Sequence, residues 1–244
     1  MARISVSASS RTATIMLSAA AIGVVGVSLA LQLVAAAYGA DHIFGLLPLF
    51  NIDREGNVPA WLSSAMLALA GLVAWGLAAD NEGEAARRER FGWTVAACVL
   101  FYMSLDEGAQ VHERVGDLAK PFVPDIGVFY FSWTAIAIVI LLAAVPFALR
   151  FLALLRWQTR FGLIVAGIVF LSGALGVEMI TGQYMHVAEN KMSLPYFLLS
   201  HAEELLEMIG VVLTIRVLLR HKEARENDAL RTAAAMESAA LRHA

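Results

Sequence analysis

Residues 200–210 read SHAEELLEMIG and place one histidine and three glutamates inside a stretch that hydropathy assigns to a membrane span. Two other apolar stretches do the same: SLDEGAQVHERV at 104–115 holds Asp106, Glu107, His112 and Glu113, and GALGVEM at 173–179 holds Glu178. Carboxylates and imidazoles from several helices of a bundle are the ligand set of dinuclear iron and manganese proteins, and hard oxygen donors with a nitrogen or two suit Fe, Mn or Zn. A divalent metal ion is therefore the leading expectation, with Asp106, Glu107, Glu178, His201, Glu204 and Glu207 as ligands and His112, Glu113, His186 and Glu203 as supporting or alternative ones. Such an ion would do redox chemistry on a lipid-soluble substrate or activate water for hydrolysis. The spacing departs from the dinuclear pattern in one respect. That pattern has Glu-x-x-His on two helices, whereas His201 and Glu204 stand in the reverse order.

Helical periodicity decides which of these groups can meet. At 100° per residue, Ser200, Glu203, Glu204 and Glu207 share an arc of about 100°, and His201 adjoins Glu204 at the i, i+3 spacing. Asp106, Gln110 and Glu113 form a second stripe flanked by Glu107, with His112 on another side unless Gly108 distorts the helix. Glu178, Thr181, Gly182 and Met185 form a third, beside Gly173, Gly176 and Gly182, which would let a neighbouring helix come close. At about 1.5 Å per residue, Glu107, Glu178 and Glu204 all lie roughly 13 to 15 Å from one membrane surface.

The helices that must carry these groups are visible in the composition. The chain has 244 residues, 59% hydrophobic and 16% charged, and a mean hydropathy of +0.68, which sets it apart from soluble domains of this size. Six apolar segments are long enough to span, at about residues 13–38, 59–79, 92–117, 126–149, 161–187 and 194–220. The first is too long for a secretory signal core of about 7 to 15 residues and reads as a retained helix. The expected architecture is an all-α, polytopic bundle: a six-helix transmembrane domain over residues 1–220 and a cytoplasmic helical tail over 221–244. Fourteen of the eighteen lysines and arginines fall before the first span, between the second and third, between the fourth and fifth, or in the last turns of the sixth and the tail beyond it. Cytoplasmic loops collect these residues, so both termini are expected inside, in a plasma membrane. A net charge of -3 with no clustered basic face excludes a nucleic-acid partner, and the single cysteine, Cys98, excludes a disulfide framework. In the first outer connection, NIDREGNVPAW (51–61) has the alternating acids of a calcium loop but Leu62 where the last ligand belongs, so it reads as a polar turn leading to Pro59 at a helix start.

Seven acids lie within the expected spans, and Arg114 is the one fixed cation near them. A bare carboxylate in hydrocarbon costs roughly 2.5–3.5 kcal/mol even on insertion scales, so protons, histidinium, water or a bound cation must neutralise the group. Besides metal binding, two readings meet that demand: a proton- or cation-coupled transporter, and an accessory subunit of a larger membrane complex whose acids are protonated and hydrogen-bonded. A b-type haem between His112, His186 and His201 is disfavoured by the surrounding carboxylates.

Together, SLDEGAQVHERV, GALGVEM and EELLEMIG (203–210) resemble segments of uncharacterised multipass membrane proteins of bacteria, a likeness that covers the chain from Asn51 onward. The resemblance implies a bacterial inner-membrane location and brings no activity with it. Ser104, Asp106 and His112 are also superficially similar to the zinc site of ceramidase-like membrane hydrolases. Those enzymes have a late His-x-x-x-His pair, and Leu205 stands where the second histidine would be, so no catalytic residue is carried over.

Overall fold

The computed structural model describes residues 9–39, 43–54, 56–80, 86–123, 126–188 and 193–243. Asp41, Glu55, Asp125, Glu189 and Lys191, which stand in the expected outer connections, lie outside them. Among the described residues every regular element is helical: α1 (Ser10–Tyr38), α2 (Leu46–Phe50), α3 (Val58–Ala79), α4 (Arg87–Ala109), α5 (Val111–Ala119), a 3-10 turn (Gly127–Phe129), α6 (Trp133–Leu154), α7 (Trp157–Leu171), a π-helical turn (Ser172–Val177), α8 (Glu178–Ala188) and α9 (Leu194–His243).

Four helices are long and apolar enough to cross a membrane: α1, α3, α6 and the composite run Trp157–Ala188. Length alone would add α4 and α9, which have 23 and 50 residues. Their apolar runs are interrupted by Asp106 and Glu107 in α4, and by Glu203, Glu204, Glu207, Arg216 and Arg220 in α9. These interruptions are the same residues that made the two segments interesting as chemistry.

The core gathers where α1, α3, α4 and α9 meet. Ala21 and Val25 of α1, Met66, Leu67, Ala70 and Ala74 of α3, Trp93 and Ala97 of α4, and Met208, Val212, Ile215 and Leu218 of α9 are all buried in one cluster. Small residues allow the close approaches, and α3 packs on α4 through a reciprocal serine clasp. Ser64 Oγ donates to the Ser104 carbonyl at 2.7 Å, and Ser104 Oγ donates to the Ser64 carbonyl at 2.8 Å. Ser104 is thus engaged between helices.

Two local features differ from the uninterrupted spans expected, and the polar turn before the second span is as expected. The helix of residues 92–117 stops at Ala109, because Gln110 adopts a left-handed conformation (φ 53°) and α5 starts in a new direction. The break falls two residues beyond Gly108. The fifth span contains the π-helical turn Ser172–Val177, whose glycines tolerate its wider geometry. The polar turn at 51–57 ends as a cap: Asn57 Oδ1 accepts from the Ala60 N–H at 3.1 Å, and Pro59 sits in the first turn of α3. Helix α9 runs unbroken into the tail. Its first tail turns are docked, His221 against Thr159 at 3.0 Å, Glu223 on the Ser10 N–H at 2.8 Å, and Asp228 on Arg156 at 2.9 Å, and from Glu226 outward it is largely exposed.

Candidate functional site: a carboxyl cluster

The break at Gln110 has a chemical outcome. By turning the chain, it carries His112 back over the end of α4, where Asp106 holds it twice: Oδ1 accepts from the His112 backbone N–H at 2.7 Å and Oδ2 from the ring Nδ1 at 3.1 Å. The ring also lies against Trp133, with centroids 4.9 Å apart. Trp133 donates its indole N–H to Glu178 Oε1 at 3.2 Å.

Glu178 is the first residue after the π-helical turn, and its carboxyl faces that of Glu203 on α9. Two facing carboxyls repel when both are charged, which favours a proton or cation between them. Glu207, one turn further along α9, has Glu107, Glu178 and Asp106 as its charged neighbours. Glu107 lies beside Ser63 of α3 and within electrostatic reach of His112. The cluster therefore draws Glu107, Glu178, Glu203 and Glu207 from α4, α8 and α9, with Asp106, His112, Trp133 and Ser63 around it.

Glycine makes the approach of α9 possible. A Cβ on Gly173 would lie 2.6 Å from the Glu203 carbonyl oxygen and 3.0 Å from Glu207 Cγ, and one on Gly210 would meet the Phe170 backbone at 2.7 Å. Gly182 instead lets Tyr130 and Phe131 close in, and Gly176 faces no tight contact. The π turn thus presses its backbone on α9 at the level of the carboxyls.

The remaining residues expected at the site lie elsewhere. Two positions from Glu203 and therefore 200° round the helix, His201 faces α1, where it is 4% exposed. Its Nδ1 contacts the Phe197 carbonyl at 2.6 Å, so Nδ1 carries the hydrogen, and Nε2 accepts from Ser28 Oγ at 3.0 Å. Ser28 in turn accepts from the Ile52 N–H at 3.2 Å. Both nitrogens are satisfied by uncharged groups, which suits a neutral imidazole in a dry contact. Glu204 is half-buried beside Glu203, Glu113 is exposed on α5, and His186 is exposed in the last turn of α8. Among the described residues, no three His, Cys, Asp or Glu side chains are drawn together in a way that could hold a metal ion.

Sequence reasoning missed Ser28, Ser63 and Trp133. A signal existed for the first. Ala21, Val25, Ser28 and Gln32 recur on one face of α1, and a serine and a glutamine on the buried face of an apolar helix call for polar partners, here His201 and Asn51. For Ser63 and Trp133 only tertiary packing reveals the contact.

None of the curated proteins and none of the solved structures compared with the chain matches it. A family match covers residues 16–222, which takes in the four apolar helices, the carboxyl cluster and the apolar part of α9. The chain belongs to that family, described as a domain of unknown function (DUF8692).

Proposed function

We propose that this is an integral membrane protein with six spans and both termini cytoplasmic, and that it works by loading and releasing cations, protons foremost, at Glu107, Glu178, Glu203 and Glu207. The facing carboxyls of Glu178 and Glu203 carry the reading: two acids on different helices stand together beside two further acids, an arrangement that can take up positive charge and give it back. Asp106 and His112 extend the protonatable groups toward the end of α4. The added spans are α4 and α9, which pack along the apolar helices and are long enough to cross.

Liposomes holding the purified protein and an internal pH dye provide the test. An imposed cation gradient should drive proton movement that Glu178→Gln and Glu203→Gln each reduce at least tenfold. Proton flux equal to that of empty liposomes would overturn the reading.

A second reading keeps the divalent metal (Fe, Mn or Zn) as the cation. Its support is donor chemistry alone, carboxylate oxygens from three helices, with a metal-dependent oxidoreductase or hydrolase as its consequence. It requires those carboxyls to draw closer together than they stand. Metal analysis of the purified protein after loading should find about one equivalent that Glu178→Ala releases, if this reading holds.

A further inference from the structure

Nine to thirteen residues beyond Glu207 on α9, a cleft of about 270 Å³ opens between the start of α1 and the outgoing helix, lined by Ser10, Arg11, Thr14, Ile15, Arg216 and Arg220. It is smaller than the roughly 300–1,000 Å³ of pockets for drug-sized molecules, and suits a compact group. Three of its six lining residues are arginines. Arg216 and Arg220 are one helical turn apart on α9, a spacing at which like charges repel, and Arg11 adds a third positive charge from α1. Among the described residues none of the three takes part in an ion pair or hydrogen bond. Several charged groups nearby are paired: Arg156 with Asp228, Arg225 with Glu89 at 3.9 Å, and Glu223 with both donors of Ser10. Thr14 turns its hydroxyl to the Ser10 carbonyl at 2.6 Å, which leaves the guanidinium groups as the available donors of the cleft.

The cleft also continues into apolar surface. Arg11, Ile15 and Ile22 follow i, i+4 and i+11 on α1, and both isoleucines are more than half exposed. Guanidinium groups at one end and an outward apolar stripe running along a membrane-spanning helix at the other match an amphiphile with a phosphate head.

We propose that Arg11, Arg216 and Arg220 form a binding site for a phosphate group, carried by an anionic phospholipid of the leaflet that α1 enters. Guanidinium forks bind phosphate oxygens in pairs, and basic pockets between transmembrane helices on the cytoplasmic side are suited to lipid headgroups. The site does not depend on the cation reading, since its readout is binding and not flux.

The test uses the full-length protein in a neutral detergent, examined by native mass spectrometry and by thermal unfolding, with phosphatidylglycerol, phosphatidylcholine or inorganic phosphate added. The wild type should retain phosphatidylglycerol at least fivefold over phosphatidylcholine, and Arg216→Gln/Arg220→Gln should lose that preference. Arg88→Gln/Arg231→Gln, which removes the same charge at exposed positions, should keep it. Protection by inorganic phosphate with no lipid preference would retain the phosphate site and assign its source to solution. Should the α9 double variant fail to fold, Arg11→Gln alone provides the comparison. Equal retention of both lipids with no effect of phosphate, or equal behaviour of the two double variants, would overturn the proposal.

Discussion

His201 shows how one hydroxyl decides the role of a side chain. An imidazole in an apolar bundle needs two partners, and Phe197 and Ser28 provide them, which takes the ring away from the acids two positions further along α9. Ser28→Ala removes the partner of Nε2 and leaves the Ile52 N–H without its acceptor, so it should destabilise the protein by about 1–3 kcal/mol. Thermal unfolding in detergent measures this, and proton flux should survive the change, because Ser28 lies outside the carboxyl cluster. His112 behaves oppositely. Its interaction with Asp106 exists only because the helix breaks, and no periodicity of an unbroken span would have placed the ring there. The acids themselves were legible, since a glutamate among leucines and valines announces itself. Which of them meet was only half legible: Glu203, named as a supporting residue, pairs directly with Glu178, while Glu204 stands beside the pair.

Among the elements, the π-helical turn is the feature that periodicity missed, because its signature is a change of register inside a sequence that still reads as helix. The expectation that glycines admit a neighbour was right in kind and uneven in place. Gly173→Ala would set a methyl group 2.6 Å from the Glu203 carbonyl oxygen, which backbone cannot yield cheaply, so a loss of about 1–3 kcal/mol is expected. Gly176→Ala meets nothing closer than 3.9 Å and should be neutral or stabilising by about 0.4–1 kcal/mol, as a helical alanine is in an unstrained position. Parallel unfolding curves for the two variants check both signs. Only Gly173→Ala should also disturb the Glu178–Glu203 contact, visible as a shifted carboxyl band in infrared spectra. Helix α6 was legible as a span, yet its looseness was not. Of its 22 residues only Thr134 and Phe151 are buried, so most of its apolar surface faces outward.

On the scale of the whole molecule, the docked start of the tail ties the bundle together at one end. Trp93 donates to Glu89 at 3.1 Å, His221 Nε2 lies 3.5 Å from the same carboxylate, and Arg225 approaches it as well. Glu89 is held below the ordinary carboxylate range, first by the facing His221, then by the Trp93 N–H and the Arg225 charge, and against the opposing effect of burial. In the unfolded chain Glu89 takes up a proton at a higher pH than in the folded one. Its stabilising effect is therefore complete above the ordinary carboxylate value and fades as pH falls through its lowered one. Glu89→Gln should consequently lower the melting temperature near neutrality, and the gap to the wild type should narrow in acid. A chain ended after Asp228 keeps every one of these contacts and should melt like the full protein, whereas one ended after Arg220 should not. Helix α9 joins this end to the carboxyls without a joint, and 36 residues separate Glu207 from His243, about 54 Å at 1.5 Å per residue. Such a rod behaves as a tiller: a sideways pull on its projecting end, by a partner or by crowding, arrives among the buried acids as a tilt, so that whatever grips the tail has a hand on the Glu178–Glu203 pair.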